Sequence, residues 1–155
     1  MKATTPDPNL IDPRRSALMA KVKGRNTLPE MRVRCAAHAL GARFRLHRRD
    51  LPGTPDLVFP SRRLALFVHG CFWHRHEGCR RATSPRTRAQ FWSSKFEANV
   101  ERDRRNERDL QVLGWRVAAI WECEARDSAV LDSRLRAVLY PDGVVNATET
   151  DAPPK

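Results

Sequence analysis

The stretch from Leu64 to Cys79, LALFVHGCFWHRHEGC, constrains the fold of this chain more than any other. Its first residues form a continuous apolar run of the kind that becomes a strand buried on both faces. The run ends at His69-Gly70, and Cys71, Phe72, Trp73, His74, His76 and Cys79 follow at once. Strand cores do not ordinarily end this way. Potential metal ligands, a potential general base and potential stacking rings share one strand end, which is where rigid scaffolds present their chemistry. The remaining residues must build a sheet around this strand and bring partners to its end.

With 155 residues the chain is long enough for one domain with a real core. Its net charge of +11 comes from arginines spread through the whole sequence, as in Arg14-Arg15, Arg48-Arg49 and Arg80-Arg81. Such a distribution suggests a basic face meeting nucleic-acid phosphates, with a solvated basic surface as the plainer alternative. The N-terminus, MKATTPDPNLIDP, is polar and proline-rich, unlike a signal peptide, and no apolar run approaches membrane length. The expected setting is therefore the cytoplasm, where four cysteines point to metal or free thiol rather than disulfide.

Residues 1–13 read as a flexible arm, 14–140 as a single folded domain and 141–155 as a flexible tail. Ser16–Val22 can form a short basic helix broken at Gly24. Thr27 and Glu30 make a capping box for a helix over Leu28–Leu40, with Gly41 as its stop. Cys35 falls inside that helix and reads as a small core residue. Ala42–His47 alternates as a half-buried strand does, and Asp56–Phe59 begins a second strand after the LPGTP turn. Pro60–Arg62 reverses the chain, so Arg63–His69 pairs back antiparallel through the centre of the sheet. A long helix over Thr87–Leu113, closed by Gly114, leads to the strand Trp115–Trp121, and Asp127 or Ser128 caps a last helix. The fold class is α/β, a mixed sheet flanked by helices.

Cys71, His76 and Cys79 are close enough in sequence to share a tetrahedral ion, and Cys123, just past the WRVAAIW strand, supplies a fourth ligand if the two strands are sheet neighbours. Thiolates with imidazole select zinc. Isolated core cysteines are the alternative, and His69 or His74 could stand in for His76. Asp56 opens a strand directly after a tight turn, where a carboxylate can face a cleft or serve as an ordinary turn residue. On the long helix, Phe96, Val100, Leu110 and Leu113 mark an inward stripe, and Asp103 falls on it. An inward carboxylate needs a partner, either a histidine, which it would hold in one tautomer as a base, or an arginine of the same helix.

Six blocks carry a family resemblance: PGTPD (Pro52 to Asp56), FVHGCFWH (Phe67 to His74), FW (Phe91-Trp92), NVERDRR (Asn99 to Arg105), LGWRV (Leu113 to Val117) and WEC (Trp121 to Cys123). In this order and spacing the chain resembles, from about Arg15 to Arg126, the very-short-patch repair (Vsr) mismatch endonucleases of bacteria. The resemblance implies a restriction-endonuclease-like nuclease fold with a structural zinc. The implied activity is magnesium-dependent nicking of one strand of duplex DNA at T:G mismatches left by deamination of 5-methylcytosine. It implies Asp56 as the metal-binding carboxylate with the main-chain carbonyl of Val68, His74 as the base, Asp103 as its orienting partner and Glu30 as a further acid of the site. Cys71, His76, Cys79 and Cys123 match zinc ligands. Phe72, Trp73 and Trp92 match rings that wedge into DNA, and the segment before Thr27, with Arg14, Arg15, Lys21 and Lys23, matches an arm around the duplex, while Arg86 would meet phosphates. Many relatives carry threonine where this chain has Val68, the His76–Cys79 interval is one residue longer than theirs, and no Glu-x-Lys pair follows Asp56, so His74 takes the place of the usual lysine.

The expected partner is mismatched double-stranded DNA, with functional coupling to a DNA cytosine methyltransferase and mismatch-repair proteins. The protein is expected as a monomer in the bacterial cytoplasm, associated with the nucleoid and not with membranes. Two rivals are a zinc-stapled module that binds DNA distortions without cutting and a nuclease of the same fold acting on another lesion. Binding alone would need neither Asp56 nor His74.

Overall fold

The computed structural model describes residues 13–20 and 24–143. Apart from Pro13, the expected arm lies outside the described residues, as do Lys21, Lys23, the side chain of Arg15 and the tail beyond Gly143. The described elements are α1 (Pro13–Ala20), α2 (Leu28–Ala39), β1 (Arg45–Leu46), β2 (Leu57–Phe59), a 3-10 turn at Pro60–Arg62, β3 (Leu64–His69), α3 (Ala89–Val112), β4 (Arg116–Trp121), α4 (Glu122–Ala125) and α5 (Ser128–Leu139). None of these helices is long and apolar enough to cross a membrane.

The strands form one sheet in the order β1-β2-β3-β4. β2 runs antiparallel to both β1 and β3, and β3 is parallel to β4 through the α3 crossover, with Leu64 opposite Arg116 and His69 opposite Trp121. Strand alternation sends Leu57, Phe59, Leu64, Leu66 and Ile120 into a core shared with Val33 and Ala37 of α2 and Leu131, Leu135 and Leu139 of α5. The opposite face packs Val58 and Ala65 against Leu51, Leu110 and Trp115, with Phe67 and Val117 at its margin. The expected mixed sheet with helices on both faces is therefore present, and β3 lies inside it.

Local chemistry explains the boundaries. Thr27 Oγ1 accepts from the Glu30 N–H at 3.4 Å, starting α2, and Asp127 accepts from Ala129 and Val130, starting α5. Gly41 (φ +74) and Gly114 (φ +83) end α2 and α3 in the left-handed region, where glycine is unstrained.

Three expectations need correction, and one short helix adds to them. The Ala42–His47 strand pairs only at Arg45–Leu46, because Ala42 is still tied to the end of α2 by its N–H to Ala37 O and His47 turns into the left-handed region at φ 44. Cys35 is exposed: α2 buries Glu30, Val33 and Ala37, and a residue two places after Val33 lies about 200° round the helix. Of the expected inward stripe, Phe96 and Leu110 are buried, but Val100 is only half-buried, since the middle of α3 borders a cavity beside the site, and Leu113, which caps the end of α3, is 52% exposed. α4 follows β4 without a loop, a single turn too short to leave any periodicity in the sequence.

Candidate active site and metal centre

Because β2 is antiparallel to β3 while β4 is parallel to it, the start of β2 and the ends of β3 and β4 lie at the same end of the sheet. Asp56 immediately precedes β2, His69 ends β3, and Cys123 follows β4. A cleft of about 830 Å³ opens there, lined among others by Glu30, Asp56, His69, His74 and Asp103.

Asp56 is fixed by the main chain of β3, whose Val68 N–H donates to Oδ2 at 2.7 Å. Its other oxygen lies 3.9 Å from His47 Nε2. Burial pushes the carboxyl up to about 6; the Val68 hydrogen bond pulls it back, the nearby charge of Glu30 pushes it further, and His47 and His74 oppose that push. A cation on this carboxylate would restore its ionised form. A carboxylate with a neighbouring peptide carbonyl, such as that of Val68, is a hard oxygen donor set of the kind magnesium takes. Glu30 is buried at 3% exposure, and its Oε2 accepts from Asn26 N–H at 3.0 Å, from Arg34 Nη2 at 3.0 Å and faces His47 Nε2 at 3.3 Å. The capping box is thus only half formed: Glu30 turns to the cleft and takes the N–H of Asn26 instead of that of Thr27.

His74 Nδ1 lies 2.5 Å from Asp103 Oδ2. Burial alone would raise the Asp103 carboxyl, but the hydrogen bond and charge of His74, with His69 and Arg102, bring it below the usual carboxylate range. An ionised Asp103 accepts a hydrogen bond from Nδ1–H, the tautomer that leaves the Nε2 lone pair free to accept a proton. The histidine alternative for Asp103 is the one the structure contains; Arg102 Nη2 is 3.9 Å away on the other oxygen. His69 stacks on His74 with ring centres 4.0 Å apart, and burial, then the charge of His74, lowers it to about 4, so it is neutral near pH 7.

Cys71, His76, Cys79 and Cys123 offer ligand atoms all within 4.8 Å of one another. His76 Nδ1 lies 3.7 Å from Cys71 Sγ and 3.4 Å from Cys123 Sγ. A tetrahedral zinc with ordinary bond lengths sets its nitrogen and sulfur ligands about 3.6 Å apart, so the donor set and spacing fit that ion. The His76–Cys79 interval forms a turn in which Gly78 has φ +71 and Cys79 N–H reaches His76 O. Trp121 stacks flat on His76 with ring centres 4.2 Å apart.

Phe72, Trp73 and Trp92 meet in one half-buried cluster, with Phe72 edge-on to Trp73, Trp92 and the buried Phe96 at 5.1–5.7 Å. Arg86 is exposed in a groove that also holds Arg88, Phe91 and Lys95, and Arg14 is exposed on α1. Two cleft residues, His69 and His47, and Arg34 on Glu30 belong to the site although the sequence does not assign them to it. In the sequence His69 reads only as an alternative zinc ligand, although its place as the last residue of the central strand marks it for the cleft. His47 sits after a strand too short to be placed exactly, and Arg34 is visible only as the i+4 neighbour of Glu30.

A family model described as "DNA mismatch endonuclease Vsr" matches residues 9–81. The type II nicking enzyme V.XorIIP of Xanthomonas oryzae pv. oryzae is 58% identical over 128 residues, 83% of this chain and 93% of that protein. The type II nicking enzyme V.NmeAIP of Neisseria meningitidis is 35% identical over 81% of this chain and 89% of its own length. The DNA mismatch endonuclease Vsr of Escherichia coli K12 is 45% identical over 112 residues, 72% of this chain and 71% of that protein. With such identity over most of its length, the chain belongs to the Vsr family of DNA mismatch endonucleases.

Proposed function

We propose that this protein is a magnesium-dependent endonuclease of restriction-endonuclease-like fold that nicks one strand of duplex DNA at T:G mismatches left by deamination of 5-methylcytosine. The observation that carries the reading is the His74–Asp103 pair at 2.5 Å in the same cleft as the half-buried Asp56 carboxylate, an arrangement that DNA binding alone does not need. Magnesium, when bound, would supply a positive charge against the phosphate and the leaving 3′ oxygen. Asp56 and the Val68 carbonyl would hold it, and nothing in that role calls for a hydroxyl at position 68. His74 Nε2 takes the proton of the attacking water while Asp103 holds Nδ1–H and steadies the ring. His69, neutral and stacked on His74, keeps that ring in plane without competing for the proton. Glu30 lies at the edge of the same cleft and fixes its far wall.

Zinc on Cys71, His76, Cys79 and Cys123 would staple the loop after β3 to α4, a structural role. The staple supports the ring cluster of Phe72, Trp73 and Trp92, which enters the stack at the mispair. Arg14, Arg15, Lys21, Lys23 and Arg86 neutralise phosphates. In this reading 1–13 and 141–155 flank one nuclease domain over 14–140. The protein acts as a monomer in the bacterial cytoplasm on the nucleoid, alongside a DNA cytosine methyltransferase and mismatch-repair proteins.

The test is a nicking assay with magnesium on otherwise identical duplexes carrying T:G, T:A, C:G or other mispairs. Cleavage of the thymine strand of T:G alone is expected. Equal cleavage of all duplexes, or a preference for a different lesion, would redirect the substrate assignment, and binding without cleavage would leave a distortion-binding module.

A further inference from the structure

The wall of the cleft opposite His74 holds a second set of metal-type donors. Oxygens of Glu30 and Asp56 and a ring nitrogen of His47 lie within 4.8 Å of one another, near enough for a divalent ion to touch all three. Beside them the protein has put a charge of its own. Arg34, one turn after Glu30 on α2, brings Nη2 to 3.0 Å from Glu30 Oε2 and 3.4 Å from His47 Nε2, and the same nitrogen donates to Asn26 Oδ1 at 2.8 Å. The Arg34 side chain is only 12% exposed and that of Glu30 4%. Its Nε is buried with no hydrogen-bond partner, so the guanidinium is held on the Glu30 side at the expense of one of its own donors.

The two carboxylates of this subsite are therefore not equivalent. Glu30 already holds Asn26, Arg34 and His47 on its Oε2, whereas Asp56 has one oxygen on Val68 N–H and the other with nothing nearer than His47 at 3.9 Å. In nuclease sites that work with two ions, the ions stand about 3.5–4 Å apart and share a bridging carboxylate. A cation placed between Glu30 and His47 would stand against a guanidinium that cannot lose its proton. We propose that Arg34 is the resident cation of the Glu30–His47–Asp56 subsite, so that the cleft takes a single divalent ion on Asp56 where its donors would otherwise take a pair. This rests on the reading of Asp56 as the metal-binding carboxylate. It makes Arg34 a positioning residue that keeps Glu30 off the ion, and it makes the dependence on magnesium first order.

The probe is Mn²⁺, followed by the loss of the free-ion paramagnetic resonance signal on titration of the full-length protein with its zinc in place. The wild type and Arg34→Lys should each bind about one Mn²⁺ per chain in the cleft, and Arg34→Met about two. Adding Glu30→Gln to Arg34→Met should return the number to about one. Equal numbers for the wild type and a folded Arg34→Met, or two ions in the wild type, would overturn the proposal while leaving Asp56 as the ligand. Should Arg34→Met fail to fold, Glu30→Gln alone decides: unchanged Mn²⁺ binding is expected, and its loss would make Glu30 a direct ligand and end the proposal. No Mn²⁺ on the wild type would remove the Asp56 reading and this inference with it.

Discussion

Asp56 holds two opposed demands in one side chain. Burial has raised its carboxyl to about 6 from 3.8, so between those values the folded state binds a proton that the unfolded chain does not. The sign follows: the favourable contribution is complete below the unfolded value and is lost as pH rises through about 6. At pH 8 and without magnesium, Asp56→Asn should therefore be the more stable protein, by up to about 3 kcal/mol, since its amide oxygen can still accept from Val68 N–H. Denaturant melts of the two proteins check this, and a less stable Asp56→Asn variant would mean that burial is not what raises the carboxyl. In catalysis the same group gives an acid limb: at subsaturating magnesium, nicking should fall as pH drops through about 6, and excess magnesium should move the fall lower. Asp103, held below the usual range by His74, stays ionised across that interval and cannot be its source. His74→Ala should lower the nicking rate by roughly 10²- to 10⁴-fold, and Asp103→Asn by less, because it only orients the ring. Near-normal nicking by His74→Ala would take this residue out of the proton transfer.

At the scale of elements, the site depends on how the turn before β2 meets α3. Gly53 has φ +74, and a Cβ added there would lie 2.7 Å from Asn106 Nδ2, one helical turn from Asp103. The turn that delivers Asp56 is thus seated on the helix that delivers Asp103. Gly53→Ala should cost about 1–2 kcal/mol for the backbone alone and should also depress the nicking rate. Pairing it with Asn106→Ala should recover the clash and not the backbone strain, which thermal melts can separate. At the other side of the cleft, Cys123 stands on the single turn of α4, and Cys123→Ser should lower zinc content and melting temperature together. Loss of zinc with unchanged stability would deny the metal a structural role. The central strand, the crossover helix and both helix caps were legible because each rests on local chemistry: the apolar run of Leu64–Val68, the glycine at 114, Thr27 and Asp127. The gathering of the Cys and His set was legible too, once two strands of matching apolar length were set side by side. What was not legible depended on distant packing. Cys35 and Leu113 face solvent because of where α2 and α3 touch the sheet, and the His69–His74 stack arises only when β3 ends beneath the following loop.

At the scale of the molecule, a chain of net charge +11 is drawn to any duplex, so attraction to phosphates cannot by itself select a mispair. Selection needs a contact whose cost depends on the stack, and the ring cluster of Phe72, Trp73 and Trp92 provides one. Its base is fixed: Phe72 stands edge-on to the buried Phe96, and Asn99 Nδ2 donates to the carbonyl of Trp73 at 3.2 Å. Its rings are only half-buried, and Trp73 also lines the cleft that holds Asp56 and His74, so a base step opened by Trp73 would lie next to these two residues. Opening a stack costs a few kcal/mol, and less where a mispair has already weakened it, so on the proposed reading rings inserted there would favour T:G over T:A without reading each base edge. Lys95 Nζ, 5.5 Å from the Trp73 ring, and Arg86 in the neighbouring groove add charge that any DNA would feel. Trp73→Ala should accordingly weaken binding to the mismatched duplex by roughly 1–3 kcal/mol and to the matched duplex much less. Arg86→Ala should weaken both about equally and flatten the dependence of affinity on salt. Affinities measured on both duplexes across a salt series distinguish the two effects, and an equal loss on both for Trp73→Ala, with zinc content and folding intact, would show that these rings pack the protein and do not probe the stack.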